Sequence, residues 1–100
     1  MIVRLATEGA VVEDADNCSD LHVQTDLDPE GVATALAMTG VGEPIDADNA
    51  WLDLAVLRTH AKLVATAPDW PQRWAAMAAY AETKGWLSDD GRFVRAHIEH

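Results

Sequence analysis

Cysteine and lysine are almost missing from this chain. Cys18 is the only cysteine, so no internal disulfide can form, and the disulfide-stapled class of small domains is excluded. A lone thiol suits a reducing compartment. No apolar run approaches the ~20 residues needed to span a bilayer; the longest uncharged stretch runs only from Gly31 to Gly42. The opening "MIVRLATEGAVV" has one arginine and too short an apolar run for a secretion signal. These absences point to a soluble cytoplasmic protein without a membrane partner. The two lysines set among many Ala, Asp and Val fit a GC-rich bacterial coding sequence.

Catalytic signatures are missing as well. There is no glycine-rich phosphate loop, no Ser-centred nucleophile elbow and no His-Glu-x-x-His helix, so neither an enzymatic reaction nor a cofactor is indicated. Basic residues are absent from most of one half. Residues 1–50 hold eleven acids against Arg4 alone, whereas residues 51–100 hold six of each sign, so the first half owns the whole net charge of −10. That half repels a nucleic-acid backbone, which is bound by neutralising phosphates with Lys and Arg.

What is present suffices for one domain over residues 1–100. About half of the residues are apolar, and a chain of this length buries roughly 60–70% of its unfolded surface. "IVRLATE" alternates around Val3 and Leu5 as a strand does, "AVV" is a second short run, and Glu13 to Asp20 is a turn-forming polar loop. "LHVQT" reads as a half-buried strand. "DLDPEGVATALAMTG" is a complete helix, with Asp28 as N-cap, Pro29 at the first position, Gly40 as terminator, and Val32, Ala35, Leu36 and Thr39 facing the core.

A strand carrying Ala50 and Leu52 then gives way, near Asp53, to a helix with Leu54, Leu57, Ala61 and Val64 on one face. The next helix starts at a capping-box spacing, Asp69 and Gln72, ends at Gly85, and buries Trp70, Trp74, Met77, Ala78 and Ala81. "DDG" is the turn of a hairpin between Trp86–Leu87 and Arg92–Ile98. The order predicts an α+β domain with a mainly antiparallel sheet and about three helices on one face; the rival is a mostly helical domain with a C-terminal hairpin.

The stretch "VEDADNCSDLHVQTDLDPE", residues 12–30, is where chemistry would show itself. As a calcium loop starting at Asp14 it fails, because Cys18, Ser19 and Thr25 fall where an oxygen ligand, the glycine and the final glutamate belong. Zinc could use Cys18 and His22, with His97 brought in by the fold, but a structural site wants four ligands and there is no second cysteine.

The leading functional expectation is a non-enzymatic domain whose acids Asp14, Asp16 and Asp20 face a basic protein partner. Trp51, beside Asp53 and on the face opposite Leu52 and Leu54, is the aromatic expected to be exposed for contact with a partner or ligand. The alternative is a small-ligand or metal-binding protein using His22, His97, Cys18 and nearby carboxylates. A second alternative is a winged-helix DNA binder with Arg92 and Arg95 on the wing. The acids Asp14, Asp16 and Asp20 are expected to be free of capping or core duties.

Overall fold

A computed structural model describes all 100 residues. Strand β1 (Ile2–Ala6) buries Val3 and Leu5 and exposes Arg4 and Ala6, as alternation requires. The chain reverses at Thr7 and Glu8 into β2 (Gly9–Glu13), passes through the acidic loop, and returns as β3 (His22–Thr25). Helix α1 (Pro29–Thr39) begins where the Asp28 carboxylate accepts the Gly31 amide at 2.7 Å. It ends at Gly40, whose left-handed φ of 72° carries its amide back to the Leu36 carbonyl.

Strands β4 (Gly42–Pro44) and β5 (Asn49–Asp53) form a hairpin; helices α2 (Leu54–Val64) and α3 (Trp70–Thr83) follow, and β6 (Phe93–Glu99) completes the chain. The result is a small α+β domain with a six-stranded mixed sheet in the order β2-β1-β3-β6-β5-β4. Its three antiparallel pairings, β1–β2, β4–β5 and β5–β6, flank two parallel ones, β1–β3 and β3–β6.

Strand β6 is therefore central. Its Val94, Ala96 and Ile98 are all buried, and it pairs with β3 on one side and β5 on the other. The expected C-terminal hairpin survives only as a tight turn, because its first arm is reduced to a single bridge between Leu87 and Val94. The turn is real: the Gly91 amide reaches the Ser88 carbonyl at 2.9 Å, and Gly91 has a φ of 71°. A strand enclosed on both sides is no wing, which removes the shape on which the winged-helix reading stood. Arg92 is also engaged, its Nε lying 3.3 Å from Asp53 Oδ2.

All three helices contribute to a single core of 21 buried residues against one face of the sheet. Val32, Ala35 and Leu36 come from α1, Leu57 and Ala61 from α2, and Trp70, Trp74 and Ala81 from α3. The other face is open. Two expected details differ: Val64, expected on the buried face of α2, is 53% exposed, and the expected cap of α3 is not made. Asp53 is buried as the N-cap of α2, accepting the amides of Ala55 and Val56 at 3.0 and 3.2 Å. Asp69 makes no capping bond, because its carboxylate turns to Arg73 one helical turn on, at 3.1 Å.

Candidate functional site

The acidic loop between β2 and β3 is built, not loose. Asp14 takes a left-handed φ of 52°, and its carbonyl accepts the Asn17 amide at 3.1 Å. Asn17 Oδ1 in turn accepts the Ser19 hydroxyl at 2.7 Å, an arrangement that Asn favours by bonding its own neighbourhood. Ala15 and Cys18 point into the core, and the Ala15 carbonyl accepts the buried indole N–H of Trp70 at 2.8 Å.

Asp16 corrects an expectation. Its carboxylate accepts the amides of Thr66 and Ala67 at 3.0 and 2.9 Å and the Thr66 hydroxyl at 2.7 Å, so it pins the loop to the connection between α2 and α3. Those donors, the Ala67 amide foremost, hold the Asp16 carboxyl below the ordinary carboxylate range. The Asp16 carbonyl also accepts a guanidinium N–H of Arg73 at 3.1 Å. Asp14 and Asp20 remain exposed and take part in no side-chain ion pair. The cation beside them is the N-terminal ammonium, which donates to the Asn17 carbonyl.

This loop forms one wall of an open groove of about 980 Å³, and α3 forms the other. Arg73, Ala76, Met77 and Tyr80 line the helical wall, and Trp86 closes one end. Tyr80 and Trp86 are 55% and 42% exposed and meet edge to face with ring centroids 5.7 Å apart. Arg73, held between Asp69 and the Asp16 carbonyl, and Arg95 also line the groove, so its acids lie among two guanidiniums. The groove thus combines an apolar, aromatic floor with an acidic wall.

The other candidate residues lie elsewhere. His22 and His97 are opposed across the parallel pair β3–β6, with His22 Nε2 3.6 Å from Glu99 Oε2. They sit on the open face of the sheet, while Cys18 is buried in the core, so Cys18 and the histidines are not brought together. No three His, Cys, Asp or Glu side chains converge as a ligand set. Burial pushes the Cys18 thiol above its ordinary range, which disfavours the thiolate needed for nucleophilic or metal chemistry. Trp51 is half-buried on the open face between Glu43 and Arg95; the most exposed indole is that of Trp86.

Tyr80, Met77 and Trp86 were not expected at a site, yet the repeat at 73, 76, 77 and 80 was the available signal. The fold also gathers acids at the opposite end of the sheet. Glu8 lies in the β1–β2 turn, Asp26 follows β3, Asp46 and Asp48 lie in the β4–β5 turn, and Glu99 ends β6. The Asp48 carbonyl accepts the Ile98 amide at 2.7 Å, which fixes two of these segments side by side.

The fold and groove define a small α+β domain with one helix-covered and one open sheet face. No helix is long and apolar enough to cross a membrane. No family model, curated protein or solved structure matches the chain.

Proposed function

We propose that this domain is a non-enzymatic protein-interaction module, which docks a basic partner on the wall formed by Asp14 and Asp20. The observation that carries this reading is the groove, where two exposed carboxylates without side-chain partners face an apolar floor. Apolar contact supplies affinity in such a surface, while exposed charge and the net charge of the domain supply steering and partner selection. With a net charge of −10 the whole domain attracts cations and repels nucleic acid and acidic membranes. The single buried thiol is compatible with a reducing interior, and we place the domain in the cytoplasm.

The test is the association rate with a lysine-rich peptide at two ionic strengths, as the Debye length shrinks from ~30 Å at 0.01 M to ~10 Å at 0.1 M. The parent should associate much faster at low salt. A variant with Asp14→Asn and Asp20→Asn should associate slowly at both, with an unchanged unfolding midpoint. Equal rates for parent and variant at low salt would show that the loop carries no docking function.

A further inference from the structure

We infer that the occupant of the groove is an amphipathic basic helix of the partner, an inference that rests on reading the acidic wall as a docking surface. The helical wall is the first reason. Arg73, Ala76, Met77 and Tyr80 repeat at the spacing of one helix face and run about 10 Å along the axis at 1.5 Å per residue, a match for two turns of a neighbouring helix. Ala76 is small, which allows the close approach that helix packing needs.

The second reason is the backbone accounting of the groove. An extended segment would need a free sheet edge to satisfy its amides and carbonyls, whereas a helix arrives with its own bonds made. No edge is available there. The side of β6 nearest the groove is already paired, through the Arg95 amide to the Trp86 carbonyl at 2.7 Å and the Ser88 amide to the Phe93 carbonyl at 2.9 Å. The edge strands β2 and β4 contribute nothing to the lining.

Charge then chooses the helix. Basic residues along one flank meet Asp14 and Asp20, and an apolar stripe meets Met77, Tyr80 and Trp86. A second copy of this chain is a poor occupant, because it would bring another −10 to an acidic wall.

Two labelled 14-residue peptides of one composition test the inference. One places Leu at i, i+3, i+4 and i+7 with Lys between them; the other permutes the same residues so that no stripe forms. The striped peptide should bind at least tenfold more tightly at 0.1 M salt and gain helical circular dichroism on binding. Tyr80→Ala and Trp86→Ala, both exposed and outside the core, should each remove most of that advantage. Equal binding of the two peptides would overturn the helix inference and leave the acidic docking surface standing. Absence of binding by both at low salt would overturn the docking reading together with it.

Discussion

Asp16 and Thr66, fifty residues apart in the chain, are joined by two hydrogen bonds, from the Thr66 amide at 3.0 Å and from its hydroxyl at 2.7 Å. The carboxylate thus acts on a distant segment as a cap acts on its own helix. Asp16→Ala should lower the urea midpoint, whereas Asp14→Asn, which suits the left-handed φ of that position, and Asp20→Ala should leave it unchanged. Equal midpoints for all three variants would show that Asp16 anchors nothing.

The same bonds give a pH dependence whose sign is fixed. The Ala67 amide and the Thr66 hydroxyl hold the folded-state pKa of Asp16 below its ordinary 3.8. Their stabilisation is therefore complete above the unfolded-state value and is lost as pH falls through it towards the depressed folded value. The Asp48 amide depresses Asp46 and the Ser88 hydroxyl depresses Asp90 in the same direction. Stability should decline below about pH 4. In Asp16→Asn the decline should be shallower, which a series of urea titrations between pH 2 and 6 would reveal.

Ala81 is 2% exposed, whereas Ala78, expected on the same buried face, is only half-buried. Ala81→Leu should cost on the order of 1–3 kcal/mol by overpacking. Ala78→Leu should cost clearly less. Chemical denaturation of the two variants side by side distinguishes the faces.

Gly42 of β4 lies opposite Leu52 of β5, and a Cβ added there would overlap the Trp51 carbonyl oxygen. Gly42→Ala should therefore push the two strands apart, at a cost of roughly 1–3 kcal/mol. Amide exchange in β4 and β5 should accelerate selectively. Unaltered protection would mean that the added Cβ is accommodated without opening the pairing.

Cys18 should be inert in the folded protein, since burial raises its thiol pKa and the Sγ is turned to the Ala15 carbonyl at 3.6 Å. A thiol reagent should label it slowly in buffer and fast in urea. Fast labelling in buffer would contradict its position in the core.

Much of this architecture was legible because the signals were local. Asp28, Pro29 and Gly40 mark both ends of α1 through the backbone groups that they satisfy, and Val23 with Thr25 marks the buried side of β3. The position of β6 was not legible: alternation of Val94, Ala96 and Ile98 says that one face is buried, and says nothing about which strands lie alongside. The exposed acids Asp14 and Asp20 were visible from composition. Asp16 looked identical to them, because its donors come from residues 66 and 67 and leave no trace near residue 16. The helical wall was hidden for another reason. Met77 belongs both to the buried stripe with Trp70, Trp74 and Ala81 and to the groove stripe with Arg73 and Tyr80, and the tryptophans drew the assignment inward.

The place of β6 in the sheet has a consequence for how the sheet is completed. Five strands precede it in the chain, and without it no strand ladder joins the two ribbons β2-β1-β3 and β5-β4. Neither ribbon exceeds three strands, and each holds an apolar face and an open edge until residues 93–99 arrive. A continuous six-stranded sheet therefore requires one seven-residue strand as its seam. Once closed, the seam ties the two ribbons together through the ladders that β6 makes with β3 and β5.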